Sequence, residues 1–342
     1  MPPASIALLH TGLVTSIGQD AASACAAMRA KLANPTETRF MGSDGEWIQA
    51  HQVELESAER GLEKLAVMAA LSIEECLAGV PRAEWAGMPL LLCVAERERP
   101  GRLAGLDERL FARIQQLLEV QFTRESAVVA HGRVATAVAL GQARKLILEQ
   151  GLARVLVAAA DGLLHWPTLR ELDRAGRLLG PDNSNGFMPG EAAGALLLGA
   201  PSATPQLLCH GIGFGVEAAH IASDEPLRAD GLTTAIKAAL ADAGCALHDI
   251  DYRMADLSGE QYYFKEAALA MTRTLRQRKE EFDLWHPAES IGETGASAGV
   301  AMLALADMAC RKAFSPGPRL LAHMANDGGQ RAAAIFSFGT AA

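Results

Sequence analysis

Few side chains in this chain are able to do nucleophilic, redox or metal chemistry, and they are scattered. The six cysteines are Cys25, Cys76, Cys93, Cys209, Cys245 and Cys310. No two form a Cys-x-x-Cys pair, which suits reduced thiols in a cytoplasm. With the nine histidines they show no ligand spacing, so no metal and no cofactor is expected. Two charge runs stand out. Glu96-Arg-Glu-Arg-Pro-Gly-Arg102 reads as a solvated loop. Arg273-Thr-Leu-Arg-Gln-Arg-Lys279 is followed by Glu280-Glu-Phe-Asp283 and reads as a mixed-charge helix face; the competing reading is a basic patch for an acidic partner.

The elements that must position any site are clearer. At 342 residues, half of them hydrophobic, the chain can bury a large core. Short apolar runs bounded by Gly, Pro or charge predict covered strands at 5–9, 90–95, 154–160, 193–198, 206–210, 319–323 and 332–337. Helical periodicity covers 62–76, with Leu62, Leu65, Ala66, Ala69, Ala70 and Ile73 on one face. Asp230 is a candidate cap for a helix to about Ala243. Two further helices, from Val134 and from Gly295, are built of small apolar residues. Each is followed by two strands, which suggests a duplicated α/β unit with halves at 1–200 and 205–342, joined at Ala200-Pro-Ser-Ala-Thr-Pro205. On pattern alone an ordinary doubly wound sheet fits as well. The net charge of −9 excludes a basic face for nucleic acid or for anionic membranes. No apolar run is long enough for a membrane span, and the N-terminus lacks the features of a signal peptide.

Four motifs then carry a resemblance. They are Thr11-Gly-Leu-Val-Thr-Ser-Ile-Gly18, the stretch Gly141 to Asp161, Gly186-Phe-Met-Pro-Gly-Glu-Ala-Ala-Gly194 and Gly292-Glu-Thr-Gly-Ala-Ser-Ala-Gly299. In this order they resemble segments of β-ketoacyl synthases, of the thiolase superfamily. The third is the most specific, being similar to that family's Gly-Phe-x-x-Gly-Glu/Asp-Gly-Ala-Gly. The resemblance implies an α/β thiolase fold, α-β-α-β-α in five layers with two pseudo-equivalent halves. It also implies a dimer, a homodimer as in most of the family or a heterodimer with a related synthase, pairing through a strand near Val128 and Val129.

The family's chemistry rests on a cysteine at a helix N-terminus and two histidines. Counting back from Gly141 puts the cysteine position at Arg133. The first histidine position, after an apolar strand, falls on Asp256. The second falls on Glu293 in Gly292-Glu293. No nucleophile remains, since a guanidinium stays protonated. His131 lies beside the turn as a candidate base. Asp256 and Glu293 read either as an acid–base pair or as partners of Arg133; the second avoids repulsion between two buried carboxylates. A salt-bridged cluster filling the old pocket is expected. The family's glycine-rich gate corresponds to Ala325-Asn-Asp-Gly-Gly329, which loses its phenylalanine and threonine. The resemblance therefore implies a binding or scaffolding protein. It would be a partner of an active synthase, like a chain-length factor, or an adaptor of the kind associated with secretion-effector loci. An acyl carrier protein is a further candidate partner. The alternative is an active acyltransferase of 3-oxoacyl synthase type with an altered site.

Overall fold

The computed structural model describes residues 5–56 and 59–341; the first four residues of the N-terminal segment read above lie outside this range. The first half contributes β1 (Ile6–Val14), a separate hairpin of β2 (Thr36–Met41) and β3 (Trp47–Ala50), then β4 (Leu90–Val94), β5 (Ala127–Ala130), β6 (Arg154–Gly162) and β7 (Glu191–Gly199). The second contributes β8 (Gln206–Val216), β9 (Tyr252–Ala255), β10 (Leu284–Trp285), β11 (Arg319–Ala325) and β12 (Gln330–Gly339).

The strand orders are β1-β7-β6-β4-β5 and β8-β12-β11-β9-β10. In both, the first two neighbouring pairs are antiparallel and the last two parallel. The two halves thus share one topology, and the plain doubly wound sheet is excluded. They are linked at one corner, where Ile6–Leu8 pairs with Leu207–Cys209.

Strand alternation explains the layers. Leu91, Cys93, Val155, Val157 and Ala159 face inward, while Leu90, Leu92, Leu156 and Ala158 face outward. In the second half Leu320, Ala322, Ala332 and Ala334 face inward, and Leu321, Ala333 and Ile335 outward. The inward faces enclose the helices Ala135–Leu148 and Ala298–Arg311, whose small residues let both sheets approach. Gly61–Cys76 and Leu106–Leu118 cover one outer face; Asp230–Ala243 and Gln261–Thr274 cover the other. This is the five-layered arrangement. Asp230 sits in the first turn of its helix instead of capping it; Ala229 holds the cap position. Among the described residues no helix is long and apolar enough to cross a membrane.

Candidate functional site

Both central helices begin on the same turn. β5 ends at Ala130, and after His131 comes Gly132 at φ +53°, a conformation that a residue with a Cβ adopts only under strain. A single 3-10 turn, Gly132–Val134, then leads into Ala135–Leu148. In the second half Gly295 at φ +57° opens the turn Gly295–Ser297, which leads into Ala298–Arg311. These turns put Arg133 and Glu293 at facing helix N-termini. Asp256 joins them because it directly follows β9.

The three sequence-predicted residues meet. Arg133 is buried, and its Nη1 donates to Glu293 Oε2 at 3.2 Å. Its Nε stands 3.8 Å from Asp256 Oδ2, an ion-pair distance and not a hydrogen bond. Two partners were not foreseen. Arg133 Nη2 donates to Tyr263 Oη at 2.7 Å and to Asp327 Oδ1 at 2.5 Å. Tyr263 also donates to Asp327 and lays its ring against the guanidinium, 4.6 Å from Cζ. Burial alone would pull the arginine pKa down; the surrounding oxygens outweigh it and hold the cation protonated. For Asp256 burial wins over Arg133, and its carboxyl is pushed up to about 7. Asp327 is desolvated too, yet two arginines hold its carboxyl well below the usual range. Its side chain is 42% exposed, so solvent screens that pairing.

A second tier of arginines surrounds the first. Arg177 reaches Glu260 at 2.7 and 2.8 Å and also holds Asp327. Arg99 bridges Glu96 (2.8 Å) and Asp161 (2.7 Å) with a side chain only 8% exposed, so the 96–102 run is not a simple solvated loop: its charges Arg97 and Glu98 face water while Arg99 turns in. The 273–279 run also departs from the expected helix face, because the helix ends at Thr274. His131 does not join the cluster. Its side chain is exposed, and its carbonyl accepts from Asn326 Nδ2 at 2.7 Å.

The pocket is not filled, contrary to expectation. A cavity of about 520 Å³ opens over Arg133, Glu293 and Asp327, with Leu163, Leu172 and Phe187 among its walls. The cluster occupies the floor only, because Arg133 folds down toward Asp256 and Tyr263. Asp256 does not line this cavity; it borders a small void behind the cluster with Thr294 and Met302. None of the six cysteines lines the cavity, and burial pushes the Cys25 and Cys209 thiols up to about 12. Among the described residues no group of His, Cys, Asp or Glu is arranged to hold a metal. Asp327, Tyr263 and Arg177 gave no sequence signal, except that Asp327 falls in the segment aligned with the glycine-rich gate.

The fold is the thiolase-like fold of ketosynthases. Solved structures agree. The chain is similar to the ketosynthase ApeO in complex with its chain length factor ApeC from Xenorhabdus doucetiae (14% identity, 98% of each chain covered, TM-score 0.73). It is similar to the ishigamide ketosynthase/chain length factor (18% identity, 99% of this chain and 100% of that one, TM-score 0.77). It also matches a β-ketoacyl synthase from Burkholderia phymatum STM815 (15% identity, 99% and 100% covered, TM-score 0.74). No protein-family model and no curated protein matches the sequence.

Proposed function

We propose that this protein is a ketosynthase-like subunit that has lost condensing chemistry and works by pairing with a related, cysteine-bearing synthase, as a chain-length factor does. The observation that carries this reading is Arg133. By resemblance it stands at the nucleophile position, with Asp256 and Glu293 at the histidine positions. It is buried, protonated and bound by Glu293, Asp327 and Tyr263. A guanidinium so placed neither attacks a thioester nor leaves room for a thiolate. The neighbours described above include a ketosynthase in complex with its chain length factor. We take 1–200 and 205–342 as the two halves, and β5 as the pairing edge. β5 ends its sheet, with Ala127, Val128 and Ala130 half-buried and its outer edge unpaired among the described residues. A homodimer, a carrier protein at 273–279 and a secretion-effector partner are outcomes to be told apart from this one.

The competing reading is an acid–base enzyme using Asp256, whose carboxyl titrates near neutral pH. Its position behind Arg133, away from the cavity, disfavours that role.

The test has two arms. Incubation with acetyl, malonyl and long-chain acyl thioesters is followed by intact mass and by carbon dioxide release; neither adduct nor decarboxylation is expected, and a stable adduct overturns the reading. Coexpression with the cysteine-bearing ketosynthases of the same genome is followed by light scattering. One heterodimer is expected, abolished by Val128→Asp; a monomer or homodimer with every synthase refutes the pairing.

A further inference from the structure

The cavity has a neighbour on the far side of the 176–187 segment. A groove of about 320 Å³ runs between the β2–β3 hairpin and residues 178–183. Five carboxylates line it: Glu37, Asp44, Glu46, Asp173 and Asp182. No Lys, Arg or His does. Among the described residues none of the five is in an ion pair. This contrasts with the cavity, where each inward arginine is already matched by acids.

The groove is also apolar at its rim. Trp47 and Leu179, which line it, are each 45% exposed, and Met41, paired with Trp47 across the hairpin, is 47% exposed. Together these make a patch on the hairpin and the facing loop, of the kind that marks a contact surface. The loop is preformed. Asn183 Nδ2 donates to Gly176 O and Leu178 O, each at 2.8 Å, and Arg177 ties its base to Glu260. Ser43 N–H donates to Asp173 at 3.0 Å, which joins the hairpin to the wall. A groove that needs no ordering on binding keeps more of its contact energy.

We propose that this groove docks a basic segment of a partner protein, one that sets a bulky apolar side chain against Trp47 and Leu179 and its Lys or Arg residues among the five carboxylates. Charge complementarity commits the choice: the uncompensated acids repel an acidic carrier or a nucleic acid and attract a cation. Trp47 adds a ring face for a guanidinium or ammonium. The apolar rim extends over both the hairpin and the loop, more surface than a small amine covers. The site is separate from the β5 edge and stands whether or not the pairing proposed above holds.

Selection of a random dodecapeptide phage library on the full chain tests this, with counter-selection on the Trp47→Ala protein. Enriched peptides should combine Lys or Arg with one large apolar residue. Their binding, read by anisotropy of the labelled peptide, should weaken about tenfold or more in Asp44→Asn/Glu46→Gln/Asp182→Asn and in about 0.5 M salt. All four positions are on the surface, and circular dichroism checks that the variants fold. The proposal is overturned if nothing is enriched over the Trp47→Ala protein. It is equally overturned if the enriched peptides carry no basic excess or bind the triple variant unchanged.

Discussion

The turns that begin the two central helices have the same backbone and opposite electrostatics. Gly132 and Gly295 share a left-handed φ, a 3-10 turn follows each, and each central helix is 14 residues long. In each, a Cβ on the glycine would stand 2.1 Å from a carboxylate oxygen, of Glu96 in one and Asp161 in the other. Arg99 holds both carboxylates, so one side chain braces both turns. The second turn then does what a helix N-terminus favours: Glu293 accepts from Gly295 N–H at 2.9 Å, and Asp161 from Ala296 N–H at 2.7 Å. The first turn does the reverse and carries a cation, Arg133. A positive charge at a positive dipole end is unfavourable. It persists because Glu293, Asp327 and Asp256 surround it. A duplicated backbone therefore does not fix its chemistry; the side chains brought to it do, Arg133 in the first turn and Glu293 with Asp161 in the second.

The largest effect should come from breaking the first turn. Arg133→Ala leaves Asp256 and Glu293 buried without their cation and should cost about 3–5 kcal/mol at neutral pH. Asp256→Asn with Glu293→Gln keeps the shapes and removes the repulsion, so it should cost much less. Urea unfolding of both proteins checks this; equal, small shifts would mean that the buried cluster contributes nothing.

If the turns are equivalent in backbone, their glycines should respond alike. Gly132→Ala and Gly295→Ala each force a side chain into left-handed backbone and against a carboxylate. A loss of about 2–3 kcal/mol is expected from each. A large difference in their thermal unfolding would break the comparison.

The parts of this site legible in the sequence were those carried by local pattern. Small apolar residues marked both central helices, and the glycine motifs fixed the spacing of Arg133 and Glu293. Asp256 was placed only by the family resemblance, which puts a site residue just after a strand. The rest lay in long-range contacts with no local trace. Tyr263 and Asp327 lie 130 and 194 residues from Arg133. Arg99 is flanked by exposed charges, so its run reads as solvated although one member turns inward. The strands β2, β3 and β10 gave no signal because they are short and only partly buried, and β5 was placed by the family resemblance alone.

Asp256 sharpens the comparison through pH. Burial, only partly offset by Arg133, raises its folded pKa to about 7, above the unfolded value of about 3.9. A group shifted upward stabilises fully below the unfolded pKa and loses that contribution as pH rises through the folded one. Wild type should therefore lose about 2–3 kcal/mol between pH 5 and pH 8 relative to Asp256→Asn, whose amide does not titrate. Asp327 is shifted the other way and acts in more acidic solution, outside this window. Urea midpoints at four pH values test the sign. A wild type that gains stability over the variant would show that Arg133, not burial, dominates Asp256.

The smallest effect should come from the residue that looks most catalytic in the sequence. His131 precedes Gly132, but its side chain is exposed. What it gives the turn is its carbonyl, which any residue supplies. His131→Ala should change stability by no more than about 0.5 kcal/mol and leave thioester reactivity at the wild-type background. Asn326→Ala removes the buried donor to that carbonyl and should cost about 1–3 kcal/mol. The ranking is the test, since both changes touch the same hydrogen bond from opposite ends. A larger loss from His131→Ala, or a thioester hydrolysis that disappears with it, would return the imidazole to the site and make the first turn the chemically active one.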